Sequence, residues 1–583
     1  MRKRNVDVGR RQLLETALHL GAVTVGGTAL AACANASAEE TEKTAGKEDF
    51  TSETATGTSQ RIGLQDATEN SQSLVRVSAR DARYESLVRG NNQRWVGKPD
   101  QVCLPTSSSQ VLLAVQDAVT SKKRISIRSG GHCYEDFVYN PDVKVVIDLS
   151  EMNRVSFDPK FNAFVVEAGA QLLDIYETLY RLGGVTIPGG LCYSVGAGGH
   201  ICGGGYGFLS RKHGLVVDHL YAVEVVVVDK RGVAKLVTAT RDANDPNRDL
   251  WWAHTGGGGG NFGVVTRYWL RSPKADNRPT ARVLPTPPTE VLVSAVSWDW
   301  AAMTESSFRR LLGNFSNWQI RNQDPDSPFA GLFATLALTH RSNGQIGMLT
   351  QMDGSARNAE ALLAEFLDAV CAGVDTPTGP MTTSMGEHLP MPELASPRRL
   401  PWLQATQLLA TGNPGLTNPS LRAKYKAAYL RKALTEEQVG TVYRYLTNAD
   451  YQNSTALLLV SAYGAKINTV PPQETAAVQR DSVLKILIQN YWSTPAEDDY
   501  NIGWIRKFYG DVFDKTGGVP LHDELTDGCY INYPDVDLND PAWNRSRLSA
   551  MELYYGANYP RLRAIKRRWD PNNIFHHRQS IKP

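Results

Sequence analysis

Three glycine-dense loops crowded between Arg128 and Gly263 constrain this chain more than any other feature of it. The first is Arg128-Ser129-Gly130-Gly131-His132. The second spans Gly189 to Gly207 and contains Cys192-Tyr-Ser-Val195-Gly196-Ala-Gly198-Gly199-His200 and Gly203-Gly-Gly205-Tyr206-Gly207. The third is Gly256 to Gly260, continued by Asn261-Phe262-Gly263. Glycine lets a backbone take positive φ and approach a ligand or another backbone closely. Successive N–H groups in such turns form anion-binding concavities suited to a pyrophosphate. No Gly-Lys-Ser/Thr follows these loops, which excludes a P-loop nucleotidase. No G-x-G-x-x-G opens a helix after a first strand, so a Rossmann domain is not expected. Tight turns alone would not explain why each run carries a nucleophilic or aromatic residue.

Around the loops, strand-like and helix-like stretches alternate. Val111, Leu112, Val115 and Val119 have helical spacing within Ser108 to Val119. Arg124 to Arg128 reads as a short strand feeding the first loop, and Val143 to Leu149 and Phe164 to Glu167 as buried strands. Leu172 to Leu182 is amphipathic and stops at Gly183-Gly184. The valine run Val223 to Asp229 turns at Lys230-Arg231-Gly232 into Val233 to Val237. These elements predict an α+β domain over residues 76–272. After Pro279, Pro285, Pro287 and Pro288, a second α+β unit is expected over 273–522. It has strands at Leu332 to His340 and Ala456 to Ala462, and helices at Arg357 to Val370 and Glu474 to Tyr491. Residues 523–583 are aromatic-rich and end in the turn Trp569-Asp-Pro-Asn-Asn573. A 583-residue chain with 42 % apolar residues can bury more than one core. Its net charge of +2 leaves no footprint for nucleic acid.

Residues 1–33 read as an address. Arg10-Arg11 followed by Gln-Leu-Leu looks like a twin-arginine export signal, and Leu30-Ala-Ala-Cys33 resembles a lipobox whose cysteine would be lipidated. The apolar stretch between them is too short to span a bilayer. Residues 34–75 are linker-like in composition and expected to be disordered. The seven cysteines show no C-x-x-C spacing, which argues against zinc, and their scatter argues against a disulfide framework. No metal is expected. His576-His577 reads as a solvated or packing pair, and Cys133 and Cys202 as core thiols.

The first two loops, the segment Cys192 to Asp218 and the C-terminal Tyr554-Tyr-Gly-Ala-Asn558 … Asp570-Pro-Asn-Asn573 resemble the berberine bridge enzyme-like FAD-linked oxidases, from about residue 85 to the C-terminus. Within that family the likeness is strongest to bacterial sugar-oxidising and antibiotic-tailoring members. The resemblance implies a two-part FAD-binding domain of the PCMH (vanillyl-alcohol oxidase) type. It also implies an α+β substrate domain with an antiparallel sheet, and a C-terminal segment that packs back on the FAD domain. FAD would be held covalently, with His132 bonded to the flavin 8α-methyl carbon and Cys192 to C6. Arg128, Ser129, Gly130, Gly131, Val195, Gly196, Gly198, Gly199, Gly203, Gly205, Gly260, Asn261, Gly263 and Asn573 would complete the cofactor site. His200 would stabilise charge at the pyrimidine edge, and Val195 would control oxygen access.

The implied reaction is hydride transfer from a hydroxyl-bearing carbon of a sugar or glycosylated natural product, with O2 reduced to H2O2. Alcohol oxidation needs a base beside the hydroxyl, and tyrosine serves only when a neighbour stabilises its phenolate. The Y-x-N-Y motif Tyr530-Ile-Asn-Tyr533 supplies Tyr533 as base with Tyr530 in reserve. Tyr463 matches a second active-site tyrosine, and Tyr206 should line the pocket. The alternatives are an oxidative cyclase or dehydrogenase of a secondary metabolite using another acceptor, and a flavin-bearing electron-transfer lipoprotein. Twin-arginine export would carry the folded, flavin-loaded protein to the cell envelope or beyond.

Overall fold

The computed structural model describes residues 73–275, 282–410 and 418–583. The export signal, Cys33 and nearly all of the 34–75 linker lie outside the described residues. Strand β1 (Val75–Val77) already pairs at the linker's last residue. It joins β2 (Gln101–Leu104), β3 (Ile125–Arg128) and β4 (Val145–Asp148) in a four-stranded sheet of order β1-β2-β4-β3, with parallel β2-β4 and β3-β4 pairs. The predicted helix is found at Ser108–Thr120, where the Ser107 side chain accepts from Gln110 N, so the first turn is capped. A second, antiparallel sheet of order β5-β6-β9-β7-β8 consists of β5 (Val155–Asp158), β6 (Ala163–Glu167), β7 (Leu220–Val228), β8 (Ala234–Thr240) and β9 (Val264–Leu270). All nine residues of β7 are buried, which explains its uninterrupted valines. The amphipathic helix Leu172–Gly183 ends on Gly184 in the left-handed conformation, φ 62°.

The third sheet is wholly antiparallel. It contains β10 (Glu290–Asp299), β11 (Leu332–Thr339), β12 (Gln345–Asp353), β13 (Thr378–Pro380), β14 (Arg398–Pro401), β15 (Arg422–Leu430), β16 (Leu457–Ala462) and β17 (Leu484–Trp492). Its order is β13-β10-β12-β11-β16-β17-β15, with β14 also on β10. Helices such as Glu305–Arg321, Ala359–Cys371 and Asp498–Val512 accompany it, the last packing on β17 and β15. The expected helix Glu474 to Tyr491 is not formed. Residues 474–483 are turns and coil, and the rest is β17. Its apolar residues mimic helical spacing, but β17 lies between β16 and β15 with both faces buried, so tertiary burial overrides the local pattern.

One knot of buried charge joins the three parts of the chain. Lys424 Nζ on β15 contacts Glu135, three residues after His132, and reaches Asp535, two residues after Tyr533, at 2.7 Å. Lys426 Nζ lies 2.6 Å from Asp535 and 2.9 Å from Asp537, and Arg506 reaches Asp537 at 2.7 Å. Three cations thus face three carboxylates, and only Arg506 has substantial contact with solvent. Burial opposes the charge on Lys424, but Asp535 and Glu135 outweigh it and hold the ammonium above its ordinary pKa. Removing one member leaves the others uncompensated. Lys424→Met should therefore lose about 3–5 kcal/mol of unfolding free energy, read from urea unfolding. A loss below about 1 kcal/mol, the range of exposed pairs, would show that the knot is not a clamp.

Candidate functional site

The first two glycine loops touch backbone to backbone. A Cβ on Gly130 would lie 2.3 Å from Gly196 N, and one on Gly196 would lie 2.0 Å from Ser129 Oγ. No side chain fits either place. Ser129 Oγ donates to Ala168 O at 2.6 Å and accepts from Gly198 N at 3.3 Å, which fixes the contact laterally. His132 and Cys192 are thereby carried to the wall of one cavity of about 400 Å³. His132 Nε2 lies 2.8 Å from Ser194 Oγ, and Asn91 Nδ2 lies 2.8 Å from its Nδ1. Burial, with the Arg128 guanidinium adding to it, pushes His132 down to about 4. Its imidazole is neutral at physiological pH and keeps a nucleophilic lone pair. Burial raises the Cys192 thiol above its ordinary value, with Glu387 adding to it.

The third loop and the C-terminal segment close the cavity. Gly199 and Gly259 face open space, where a Cβ would meet nothing within 4 Å. Lys566, buried with Asp570, donates to Asn261 O at 2.6 Å, and Ile581 N donates to Asn261 Oδ1 at 2.8 Å. His576 and His577 both line the cavity. His577 stacks on Phe137 at 4.1 Å, and burial pushes it down to about 3, so it packs as a neutral ring. Burial, then Lys485, pushes His200 down to about 4, and it accepts from Gly190 N at 3.2 Å. Cys133 lies on the cavity wall. Cys202 is buried, with Sγ 2.9 Å from Tyr268 Oη.

At the substrate-domain end, aromatic side chains surround a cation. Tyr206 and Tyr533 hydroxyls are 3.1 Å apart, and the Tyr530 ring stands edge-on to both. Lys485 Nζ sits 3.5 Å from the ring centres of Tyr206 and Tyr530 and 4.4 Å from that of Tyr533, with no hydrogen-bond partner. Burial drives Lys485 well below its ordinary pKa, while the electron-rich ring faces favour its charged form. Burial, then Tyr206, raises Tyr533 well above 10, so an unaided phenolate would be scarce at neutral pH. The ammonium form of Lys485, which these ring faces favour against burial, is the compensation that a tyrosine base requires.

Of the residues singled out in the sequence, all line this cavity except four. Tyr463 is buried behind Tyr206, ring centres 6.1 Å apart, and its hydroxyl donates to Gln479 O at 3.3 Å. It is not positioned as a second base. Gly203 packs on Asn532, where a Cβ would lie 2.0 Å from Oδ1. Gly205 (φ 69°) packs on Val216 and His200. These glycines act by permitting close packing rather than by touching a ligand. Asn573 takes φ 51° and holds the C-terminal turn, its carbonyl accepting from His576 Nδ1 at 2.8 Å.

Lys485, Glu387, Tyr425 and Gln489 line the cavity but were not read from the sequence. A lysine inside the apolar run Leu484 to Ile488 was the available signal for Lys485.

A family model described as FAD binding domain matches residues 99–233, and one described as Berberine and berberine like matches 529–582. The chain is 47 % identical over 511 residues to the aclacinomycin-N/aclacinomycin-A oxidase of Streptomyces galilaeus, covering 88 % of this chain and 90 % of that protein. Among solved structures, it resembles a flavoenzyme involved in shunt product recycling in caerulomycin biosynthesis, with TM-score 0.84 and 49 % identity over 88 % of this chain and all of the other. It also resembles a glycopeptide hexose oxidase complexed with teicoplanin, with TM-score 0.81 and 46 % identity over 88 % of this chain and 99 % of the other.

Fold and cavity together define an FAD-dependent oxidoreductase with a PCMH-type flavin domain and an α+β substrate domain built on an antiparallel sheet. The chain belongs to the berberine bridge enzyme-like FAD-linked oxidases. The cavity's own groups fit the cofactor: glycines leave open space at two loops, and Arg128 Nε is buried without a partner.

Lys485→Met separates the two effects of the buried cation. Without it, the unfavourable burial of an ammonium disappears, so the thermal midpoint at pH 7 should rise. Because the folded pKa of Lys485 is depressed, this gain is fully present below that pKa and fades as pH approaches the unfolded value. The rising limb of the rate profile, set by ionisation of the base, should move up by about one unit or more, as the phenolate loses its cation. A stabilised variant with an unmoved limb would remove Lys485 from the chemistry.

Proposed function

We propose that the protein is an exported FAD oxidase that oxidises a hydroxyl-bearing carbon of a sugar or glycosylated natural product. The observation that carries this reading is Tyr533 on the cavity wall, its hydroxyl 3.1 Å from the Tyr206 hydroxyl and its ring centre 4.4 Å from Lys485 Nζ. Tyr533 takes the proton of the substrate hydroxyl. Lys485 offsets the developing phenolate charge, and Tyr206 orients it by a hydrogen bond. Tyr530, held by Gly205 N at 3.3 Å and Asn532 Nδ2 at 3.1 Å, keeps the cluster rigid. The antiparallel sheet supplies the opposite wall through Phe333, Thr335, Leu459, Ser461, Lys485, Leu487 and Gln489. These residues alternate along their strands, so one sheet face confronts the substrate.

His132 and Cys192 are the two attachment points of the cofactor, the first as a neutral imidazole and the second as a thiol. Held there, FAD would supply the acceptor for the substrate hydride, with O2 as the final electron acceptor and H2O2 as product. Two anchors on one cavity wall leave the tyrosine end open for a bulky substrate, and Val195 governs oxygen access. The activities carried in the relatives' names, oxidation of aclacinomycins and of a glycopeptide hexose, support this substrate class. The resemblance of Arg10-Arg11-Gln-Leu-Leu to a twin-arginine signal supports export, and the lipobox-like Leu30-Ala-Ala-Cys33 supports lipid attachment at Cys33.

Tyr533→Phe tests the reading. It should keep the flavin spectrum while sugar-dependent peroxide release falls about 10²- to 10⁴-fold, the usual worth of a general base. Turnover within a factor of two of the parent would transfer the role to another group and reopen the non-oxidase readings.

A further inference from the structure

A carboxylate on the cavity wall is used by nothing in the reaction described above. Glu387 sits in a tight turn where Met385 and His388 bridge and Gly386 takes φ 63°. Its Oε1 accepts from the hydroxyls of Tyr134 at 3.1 Å, Tyr425 at 3.0 Å and Tyr491 at 3.2 Å. The three hydrogen bonds favour the carboxylate against burial, which raises Glu387 above its ordinary pKa, and the Tyr425 and Tyr491 hydroxyls also contact each other. Burial and these three hydrogen bonds act on its charge, and no lysine or arginine among the described residues does.

Two neighbouring groups leave polar atoms without partners. Gln489, 3 % exposed, leaves Oε1 without a partner, and a Cβ on Gly386 would lie 2.8 Å from that oxygen. Gln489 pairs across the sheet with Tyr425. His388 leaves Nδ1 unpartnered, and burial pushes it down to about 4, so it is neutral. All three line the same cavity as Tyr533, and the Tyr425 ring stands 6.1 Å from the Tyr533 ring.

Buried polar atoms without partners are costly and rare, so a cluster of them around an uncompensated carboxylate implies a donor-rich ligand. A hydroxyl offers one donor and no charge. A primary ammonium offers three donors and the missing positive charge. We propose that Glu387, with Gln489 and His388, forms a subsite for the ammonium of an amino sugar, adjacent to the carbon oxidised at Tyr533. This rests on the oxidase reading for the sugar class but makes a separate claim about charge. The three phenols pre-orient the carboxylate, so little ordering accompanies binding.

The test compares two probes that differ at one position, methyl α-D-glucosaminide and methyl α-D-glucoside. Each is titrated calorimetrically, without oxygen at pH 7, into the flavin-loaded enzyme whose flavin has first been reduced with dithionite, so that no hydride is transferred. The aminoglycoside should bind at least about tenfold more tightly, a factor equivalent to one charge-assisted hydrogen bond. Glu387→Gln should bring the two affinities within about twofold of each other, and Glu387→Asp, which keeps the charge, should retain part of the preference. Equal affinities in the parent, binding of neither probe, or a preference that survives Glu387→Gln would each overturn the subsite. The oxidase reading is judged separately, by peroxide release and Tyr533→Phe.

Discussion

The contact of Gly130 with Gly196 is the constraint from which the rest of the site follows. Two backbones meet where even a methyl group would collide, at 2.3 Å from a main-chain nitrogen. Loops that approach this closely cannot be moved by side-chain repacking, so the residues at their ends inherit fixed positions. His132 and Cys192 are those residues. The hydrogen bond between the His132 ring and Ser194 shows how directly one loop orients the other's side chain. Glycine here is spent on proximity rather than on flexibility.

Charge is managed differently at the two ends of the cavity. Near the glycine loops, burial keeps His132, His200 and His577 neutral, and so no histidine cation competes for a place in the cavity wall. At the sheet end, Lys485 is buried without a hydrogen-bond partner, Glu387 is half-buried with no lysine or arginine acting on it, and both line the cavity. Behind them, Lys424, Lys426, Arg506, Glu135, Asp535 and Asp537 pair with one another. The paired knot holds the loop after His132 and the segment after Tyr533 to one strand, and the unpaired charges are left for chemistry. Strained or unsatisfied groups persist where a framework over-determines them, and this knot is that framework.

Legibility in the sequence tracked how local each signal was. The helices at Ser108–Thr120 and Leu172–Gly183 and the β7-β8 hairpin carry their own caps, glycine stops and turn residues, so short windows revealed them. The glycine loops were equally plain, and they delivered nearly the whole of that end of the cavity wall. The failures were tertiary. β17 read as helix because only its place between β16 and β15 makes both faces buried, and that misreading hid the alternation that aims Lys485, Leu487 and Gln489 at the cavity. Glu387 lies in a turn without periodicity, and its significance comes from three tyrosines 38 to 253 residues away. Tyr463 matched a motif, yet its hydroxyl is committed to Gln479.

The central claim is that two loops pressed together by glycine hold one flavin by two side chains. Intact mass of the acid-unfolded protein, with its visible spectrum, tests this most directly. The account predicts a polypeptide one FAD heavier than its sequence and still yellow, and a Cys192→Ala variant still carrying the flavin through His132. A parent protein at the bare polypeptide mass, with its colour in the filtrate, would contradict it.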